Sequence, residues 1–573
     1  MRWSTRQTSV RRLLFSSSMR RPLLSLLAAA ALSGCIGEIG DGGSSDSDVD
    51  GVAQQIVPAP AALPRLTETQ YRNTLADLFG AALPPLQVEP DTSPYLFVSI
   101  GAASTSLSEL GTQQYEENAD AITHYVFGDA LRRTAFAGCQ VTAPGDACVR
   151  STLREFGRRA FRRSLTTPEL DAWVTLATEE SDPDGWEGLR LGIAGMLQAP
   201  SFLYRVELGQ PDPEHPGFRR LTDLEVASRL SFLLWDTSPD DALLDAAESG
   251  SLSTPDGIRD EAERLLSSPR AHVGLHRFFD QYLDLGRVDG TTRDVATYPL
   301  YTPELPAAMR HEVELVIDDV VFTRRADART IFSTRNTFVN SDLATLYGIT
   351  AEGADKTTFV PVELDPNGHR AGILTLGAFL TMNAHQTQTS PTLRGKYIRE
   401  RVLCEQVSPP PPNVQTDLSA EPGDEPQTVR QRLEEHRKNP KCASCHSFID
   451  PPGMLFEHFD SLGVYRDMEL PVGGGDTLLP IDSTGDLDGV PLPDGKALAA
   501  ALEKEPRVAS CMVRQLFRHT ESRLDTDGEQ LLLTDLETKF EDADYDFQTL
   551  VVEMVAHEGF RRVAEPKTTE NGK

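Results

Sequence analysis

Two cysteines and a histidine stand close together in the last third of the chain. Residues 442–446 read Cys-Ala-Ser-Cys-His, and this C-x-x-C-H spacing is the attachment pattern of a c-type haem. Cys442 and Cys445 would form thioethers to the haem vinyl groups, and His446 would be the proximal iron ligand. The sequence therefore predicts one covalently bound haem c at this point.

Two other interpretations of the cysteine pair stay open. A structural zinc site needs two further ligands, which Cys404 and His436 could supply, but the sequence has no second C-x-x-C pair. A redox-active dithiol would stand at a strand–helix junction, whereas this motif follows a predicted helix at about 427–438. The histidine directly after Cys445 favours haem over both.

The sixth ligand of the iron is less well specified. A methionine there raises the haem potential, while a second histidine usually lowers it. Met512 is the preferred candidate, because it lies 66 residues after His446, a comfortable reach for the chain. The alternatives are Met454, Met468, His385, His458 and His519. An open sixth site would favour ligand or peroxide chemistry over electron transfer.

The N-terminus has the pattern of an export signal. An apolar run at residues 23–32 follows two arginines and precedes Ser-Gly-Cys35. The run is too short to span a membrane, and residues 1–35 are typical of a signal peptide that ends in a lipidated cysteine. The alternative is an ordinary cleaved signal in which Cys35 is incidental. We expect a lipid-anchored envelope protein, and Ile36 favours the outer membrane, on its periplasmic or surface face.

The chain is strongly acidic, with 86 Asp and Glu against 55 Lys and Arg and a formal net charge of −31. Nucleic acid and anionic lipid surfaces are therefore poor partners. A basic redox partner would be attracted, although the same acidity also serves to keep an envelope protein soluble. The identity of the electron partner is left open.

Seven cysteines allow a prediction of disulfides. Lipidation would use Cys35 and haem would use two more, which leaves four in an oxidising compartment. Four cysteines have three possible pairings. Cys139 and Cys148 stand nine residues apart across a Pro-Gly-Asp turn, so a local bridge is predicted, and the second bridge then joins Cys404 to Cys511.

Most of the mature chain has the hydrophobic periodicity of α-helices. Thr67 and Gln70 form a capping box at the first helix. Residues 449–453 are predicted to form a turn, and residues 470–495 an irregular Gly/Asp/Pro-rich insert with a small hairpin. Further helices are predicted at about 113–132, 150–163, 167–179, 185–200, 222–235, 239–247, 256–267, 270–285, 305–323, 340–347, 427–438, 495–504, 506–521, 528–539 and 547–556.

A second group of metal-binding side chains is weaker. His272 and His276 have the i, i+4 spacing that places both imidazoles on one helix face. The sequence shows no third ligand beside them. A structural role for the pair is therefore favoured.

Several strings along the chain form a wider pattern. They are RLT and YRNT at 65–67 and 71–74, FGRRAFRR at 156–163, SFLYR and ASRLSFLLW at 201–205 and 227–235, TSP and RGK at 389–391 and 394–396, and Asp494-Gly495 with Cys511. Together with the C-x-x-C-H motif, these strings resemble the multi-module cytochrome c proteins of planctomycetes and myxobacteria, which consist largely of domains of unknown function. One departure is Ile449, where many relatives carry a methionine.

The resemblance implies a mainly α, multi-module protein with a small c-type cytochrome-like module. The expected division is a signal peptide at 1–35, a flexible tether at 36–60, helical modules at 61–135, 136–208 and 209–350, a haem c module at 351–468 and a C-terminal helical module at 469–573. If the relatives' methionine is an axial ligand, the departure at Ile449 means that this chain uses another group or none.

Three functions follow as hypotheses. The leading one is one-electron transfer in the cell envelope. The second is a haem-dependent oxidative or peroxidatic enzyme acting on an envelope or polymer substrate, and the third is a surface binding or structural protein in which haem stabilises the fold. Whether the protein is an enzyme is left open. Six arginines in this acidic chain are expected to form ion pairs between modules rather than to bind an anionic substrate: Arg158, Arg159, Arg162, Arg163, Arg205 and Arg229.

Overall fold

The computed structural model describes residues 56–80, 82–179, 184–409, 426–472 and 476–565. The predicted signal peptide with Cys35, and most of the predicted tether at 36–60, lie outside these residues. The described residues belong to one compact unit. The boundaries of the predicted modules stay a prediction.

The described chain is mainly helical with small sheets, as the sequence predicts. The first region contains α1 Glu68–Phe79, α2 Val98–Ser104, α3 Glu109–Phe127, α4 Ala130–Ala137, α5 Ala147–Ala160, α6 Thr167–Glu179, α7 Trp186–Gln198 and α8 Pro200–Leu203. The predicted capping box of Thr67 and Gln70 begins α1. The helix predicted at 113–132 is instead divided, because Asp129 accepts hydrogen bonds from two backbone amides and starts α4.

The middle region follows two short strands, β1 Gln210–Pro211 and β2 Phe218–Arg220. It contains α9 Asp223–Leu234, α10 Asp241–Glu248, α11 Pro255–Leu266, α12 Arg270–Tyr282, α13 Gly286–Asp289, α14 Leu305–Asp318, β3 Asn336–Val339, α15 Ser341–Tyr347 and β4 Val360–Glu363. Where the sequence predicts one helix over 305–323, the last five residues, Asp319–Thr323, form a π-helical turn.

The last region carries the motif and the C-terminal helices. It contains α16 Gly377–Met382, α17 Pro391–Tyr397, α18 Val429–Arg437, α19 Pro440–Met454, β5 Met468–Glu469, β6 Leu479–Pro480, β7 Gly485–Leu487, β8 Val490–Leu492, α20 Gly495–Leu502, α21 Pro506–Glu521, α22 Gln530–Asp542, α23 Phe547–Ala556 and β9 Arg562–Ala564. The antiparallel pair β7–β8 is the small hairpin predicted for residues 470–495.

Three groups of buried apolar side chains hold these elements together. The N-terminal core is formed by α1, α3 and α5–α8. The main core runs from Phe97 to Val563 and includes most of α9–α17 and α20–α23. A small third cluster consists of Val429, Leu433, Met454 and Val472, beside the motif. The antiparallel sheet β1-β2-β9 pairs the C-terminal strand with the middle region.

Both predicted disulfides are confirmed. Cys139 is bonded to Cys148, and Cys404 is bonded to Cys511. The second bridge closes a loop of 107 residues that contains the whole motif helix α19. It therefore ties the segment before the motif to α21.

Five of the six arginines lie within ion-pair distance of a carboxylate, whereas Arg162 binds backbone carbonyls among the described hydrogen bonds. Arg229 is 1 % exposed and pairs with Glu207 and with Glu521, 2.6 Å away on α21. Arg205 pairs with the same Glu207 at 3.1 Å. On the surface, Arg158 of α5 pairs with acidic side chains of α10, and Arg163 pairs with Glu169. Arg162 is buried and donates to the carbonyl oxygens of residues 201, 202 and 204. Arg159 lies 3.9 Å from Asp241.

No helix in the described part of the chain is both long enough and apolar enough to cross a membrane.

A buried carboxyl group makes the stability depend on pH. Glu312 of α14 is fully buried and accepts hydrogen bonds from Thr337 at 2.6 Å and Tyr347 at 2.5 Å. Burial raises the pKa of Glu312 from 4.5 to about 7. Between these values the folded state keeps a proton that the unfolded state releases, so stability is full below the unfolded pKa and falls as the pH rises to 7.

We expect Glu312→Gln to remove part of this dependence. Between pH 5 and 8 the wild type should lose stability relative to Glu312→Gln by on the order of 3 kcal/mol. Urea unfolding across this pH range measures the difference. Glu304→Gln changes an exposed residue at the start of the same helix and should leave the pH profile unchanged. Parallel pH profiles for wild type and Glu312→Gln would contradict the prediction.

Candidate haem site

The predicted haem ligands lie in the first half of α19. Cys442, Cys445 and His446 are separated by three and four positions, which places them on one face of the helix. Both cysteines are free thiols, and all three side chains are half-buried. Asn439 begins the helix by accepting a hydrogen bond from the Lys441 amide at 3.0 Å. The arrangement leaves two unpaired thiols and an imidazole side by side at the protein surface.

The orientation of His446 is fixed by a buried carboxylate. Asp450, one turn further along α19, is fully buried, and its two oxygens lie 3.0 and 3.1 Å from His446 Nδ1. Thr392 of α17 donates a hydrogen bond to the same carboxylate at 2.9 Å. With Nδ1 donating to Asp450, the lone pair of His446 is on Nε2. Among the described hydrogen bonds, none involves Nε2.

The turn predicted at residues 449–453 is wrong, because α19 continues to Met454. Pro451 and Pro452 lack the amide hydrogens that would bond to carbonyls one turn earlier. One of these freed carbonyls, that of Phe448, accepts a hydrogen bond from Arg399 Nε at 3.1 Å. The Arg399 guanidinium also lies over the Phe448 ring, 4.0 Å from its centre. A side chain from another segment thus replaces the lost backbone bond.

A close crossing with α17 holds the same part of the helix. A methyl group on Gly395 of α17 would lie 1.6 Å from the Ile449 carbonyl oxygen, and one on Gly453 would lie 1.8 Å from the Pro391 carbonyl oxygen. Only glycine lets two backbones approach this closely. The two helices therefore meet at Gly395 and Gly453, and this contact aligns Thr392 with Asp450.

The chain beyond α19 is anchored by Arg394. This side chain is fully buried and donates hydrogen bonds to the carbonyls of Phe456 at 2.8 Å and Asp460 at 3.0 Å. It also pairs with Glu457 at 3.2 Å, and Glu457 accepts a hydrogen bond from Thr389 at 2.7 Å. The residues 389–396 are thus the support of the motif helix rather than part of the donor set.

The zinc interpretation of the motif loses one of its ligands. Cys404 is bonded to Cys511 and is not available to a metal. His436 of α18 does lie beside the motif, with its ring centre 4.7 Å from that of His446. In the described part of the chain, however, no cluster of three or more ligand atoms within 4.8 Å of one another includes the motif residues. The preceding element is a helix rather than a strand, unlike the setting of a thioredoxin-type dithiol.

The candidates for the sixth ligand are scattered. Met512 is fully buried in the main core on α21, away from the small cluster beside the motif, so its placement adds no support and the assignment stays a prediction. Met454 is buried in that small cluster at the end of the motif helix. His519 is half-buried and packs against Phe97 and Phe278, while Met468 and His385 are exposed. His458 donates to the Arg466 carbonyl at 2.8 Å.

His436 is a neighbour that the sequence did not propose as an axial ligand. Burial and the adjacent His446 lower the pKa of His436, which favours the neutral form that can ligate a metal. The sequence did contain a signal for this neighbour, because His436 stands ten residues before His446 on the helix that leads into the motif. Phe456, Phe459 and Leu462, which follow the motif helix, belong to the main core.

The donor set fits a haem c. Covalent attachment needs two free thiols three residues apart, and iron ligation needs an imidazole nitrogen that is not otherwise hydrogen-bonded. Cys442, Cys445 and His446 meet both conditions. A carboxylate behind a ligating histidine is also the arrangement that fixes the tautomer and raises the basicity of the ligand, and Asp450 supplies it.

The chain matches four family models, each described as a protein of unknown function. The matched residues are 65–128 for PSD3 (DUF1587), 148–207 for PSD5 (DUF1595), 221–349 for PSD4 (DUF1592) and 370–469 for PSCyt3 (DUF1588). The motif helix lies within the last of these. No similar protein was found among curated sequences, and none among solved structures. The resemblance of Asp494-Gly495 and Cys511 to the family pattern lies outside the matched segments and stays a prediction.

The order of the four matched segments along the chain follows the order of the predicted modules, and together they cover more than half of the sequence. The chain belongs to the planctomycete cytochrome-like multi-domain family.

Proposed function

We propose that the protein is a c-type haem protein that transfers single electrons in the cell envelope. The observation that carries the proposal is the set of two free thiols and an imidazole on one face of α19, with the imidazole held by Asp450. Cys442 and Cys445 would hold the group covalently, and His446 Nε2 would be its protein ligand. When bound, haem c supplies a one-electron couple of its iron.

The protein's own residues set the environment of that couple. Asp450 keeps the proton on His446 Nδ1, and the hydrogen bond from Thr392 keeps the carboxylate in place. Because Asp450 is fully buried, its interaction with the imidazole is weakly screened by water. The half-buried thiols keep one side of the site open to solvent, where a redox partner can approach.

The charge beside the thiols differs from the charge of the whole chain. Lys438 and Lys441, which flank the start of α19, are exposed. The net charge of −31 favours a basic partner, as predicted, but these two lysines favour an acidic patch at the point of contact. We propose that the electron partner, whatever its overall charge, presents acidic side chains to this edge.

The proposed location rests on the sequence. The apolar run at 23–32 before Cys35 supports export and lipid anchoring to the outer membrane. Fractionation of cells that express the wild type or Cys35→Ser tests it, because loss of the lipid should release the variant from the membrane. An equal membrane fraction for both would contradict the anchor.

Spectroscopy of the full chain, produced in a host that attaches c-type haem, tests the function. Electron transfer predicts a low-spin, six-coordinate iron that is indifferent to carbon monoxide and peroxide. A high-spin iron that binds carbon monoxide would overturn electron transfer in favour of a haem-dependent oxidative or peroxidatic enzyme. A haem-free Cys442→Ala variant with undiminished function would instead support a structural role.

The second candidate, the oxidative enzyme, is compatible with the same buried carboxylate that supports electron transfer. A buried carboxylate on the far nitrogen of a ligating histidine makes the imidazole a stronger electron donor. With haem bound, Asp450 would therefore favour the oxidised form of the group. That effect would suit a low-potential electron carrier and an oxidative enzyme alike, so the coordination state of the loaded protein distinguishes the two.

We expect Asp450→Asn to raise the midpoint potential by tens of millivolts. The neutral amide cannot supply the negative charge that stabilises the oxidised iron, while both attachment cysteines are unchanged. Redox titration of the covalently loaded variant measures the shift. Asp467→Asn removes an exposed carboxylate beyond the motif helix and should leave the potential unchanged. An unchanged or lower potential in Asp450→Asn would contradict this role for Asp450.

A further inference from the structure

The two histidines that the sequence left without a third ligand have one in the structure. His272 and His276 lie one turn apart on α12, and Asp318 faces them from the end of α14. Asp318 Oδ1 is 2.9 Å from His272 Nδ1 and 2.7 Å from His276 Nε2. The expectation that no third ligand accompanies the pair is therefore wrong. Asp318 is 42 positions from His276 along the chain, and the two side chains meet only in the folded protein.

The three side chains are held on rigid supports. The inner faces of α12 and α14 are buried in the main core. The His272 ring stacks on Phe322, with ring centres 3.8 Å apart and planes 14° from parallel, and this contact fixes the direction of Nδ1. The side chains are 40, 28 and 23 % exposed for His272, His276 and Asp318. The buried faces of the two helices thus hold the cluster in place, and its outer side is open to solvent.

The surroundings carry excess negative charge. On α14, Glu314 lies one turn before Asp318, and on α12, Asp280 lies one turn after His276; both carboxylates act electrostatically on His276. Arg310 pairs with Glu314, Asp280 and Asp289, and Arg277 also acts on Asp280, so two arginines face these three carboxylates and Asp318. His311 pairs with Glu314 at 3.0 Å. Such a field attracts a divalent cation.

The geometry suits a metal ion as well as it suits an ion pair. Both imidazoles converge on a single carboxylate oxygen, and all three ligand atoms lie within 4.8 Å of one another. Zinc binds imidazole nitrogen and carboxylate oxygen at about 2.0–2.2 Å, which at tetrahedral angles places the donor atoms roughly 3.3–3.6 Å apart. Each histidine nitrogen would therefore move away from Asp318 Oδ1 by roughly 0.4–0.9 Å. Two histidines and one carboxylate with open positions is a donor set of catalytic zinc and of non-haem iron sites.

We propose that His272, His276 and Asp318 bind one divalent transition-metal ion, best matched by Zn²⁺, with its remaining positions open to solvent. The imidazole nitrogens and the carboxylate suit a borderline ion. This site is separate from the motif on α19, shares no residue with it, and does not depend on the attachment of haem.

Metal content of the full chain tests the proposal. The motif thiols must be unable to bind zinc in this experiment. The protein is therefore used either with haem attached or, without haem, as the Cys442→Ser/Cys445→Ser variant. Equilibrium dialysis against Zn²⁺ should give one zinc per chain. His276→Ala and Asp318→Asn should each weaken binding at least about tenfold, whereas His311→Ala, which changes an exposed histidine outside the triad, should bind as the wild type does.

Thermal unfolding gives a second readout that separates lost binding from lost folding. Binding to the folded state raises the unfolding temperature, so Zn²⁺ should stabilise the wild type and His311→Ala but not Asp318→Asn. Asparagine has nearly the same shape as aspartate, and the metal-free variant should unfold close to the metal-free wild type. No zinc bound by the wild type up to about 1 mM, or equal binding by Asp318→Asn, would show that the cluster is only an ion pair and overturn the proposal.

Discussion

Replacing Arg229 by methionine is expected to lower the free energy of unfolding by about 3–5 kcal/mol. Arg229 pairs with Glu207 and Glu521 and donates to the Phe560 carbonyl at 2.7 Å. All three charged groups are at least 96 % buried. Removing the cation leaves two carboxylates without their main partner in a site from which water is excluded, and that is more destabilising than the loss of a surface pair.

The electrostatics of Glu207 agree with this expectation, whereas at Glu521 burial outweighs the arginines and raises the pKa. Burial raises the pKa of Glu207, but Arg229 and Arg205 outweigh it and the net pKa is below its ordinary value. Without Arg229, Glu207 keeps only Arg205, and Glu521 keeps Arg523 at 3.4 Å. The remaining pairs offset part of the loss, which is why the variant should still fold under native conditions.

Urea unfolding of wild type and variant measures the effect. Arg72→Met is the matched control, because Arg72 also pairs with a glutamate, Glu68, at 2.9 Å, but both side chains are about two fifths exposed. This surface pair should contribute less than about 1 kcal/mol. Equal losses for Arg229→Met and Arg72→Met would show that the buried network does not hold α21 to the middle region.

The second large effect is expected for Gly395→Ala. A methyl group at this position would lie 1.6 Å from the Ile449 carbonyl oxygen and 3.2 Å from the Gly453 amide nitrogen. Both neighbours are backbone atoms of α19, so no side chain can rotate away to make room. The helices must separate, which we expect to lower the free energy of unfolding by about 3 kcal/mol, at the upper end of the usual range for overpacking.

The consequence for the candidate site is equally specific. Separation of α17 from α19 moves Thr392 away from Asp450, so the carboxylate that orients His446 loses its hydrogen bond from α17. Gly286→Ala is the control, because a methyl group there has no atom within 4 Å, and its stability should change by less than about 1 kcal/mol. A Gly395→Ala protein as stable as Gly286→Ala would contradict the close helix crossing.

Local signals in the sequence predicted much of the helical structure. The helices at 167–179 and 547–556 were predicted with the bounds that the structure shows, because apolar residues recur at helical spacing and polar residues stand at the ends. The two disulfides were also predicted from the sequence. Cys139 and Cys148 are close along the chain, and once they are paired Cys404 and Cys511 are the remaining two cysteines. These features depend on neighbours along the chain.

The errors came where distant residues override a local preference. The Asp-Pro-Pro-Gly string at 450–453 is typical of a turn, but Arg399 pairs with a carbonyl that the prolines leave free, and Gly395 allows α17 to pack against the helix. Once the segment is known to be helical, the i, i+4 relation of His446 and Asp450 follows at once. The third ligand of the histidine pair on α12 could not be found this way, because Asp318 belongs to another helix.

A pyridine haemochrome spectrum shows whether Cys442, Cys445 and His446 hold a covalent haem c. The full chain, made in a host with c-type maturation, is denatured, and its pyridine haemochrome spectrum is recorded beside that of Cys442→Ala/Cys445→Ala and of the exposed-residue control Ser444→Ala. We predict a c-type α band that stays with the wild-type and Ser444→Ala chains and is absent from the double variant. A wild-type chain with no c-type α band, or a band undiminished in the double variant, would contradict the claim.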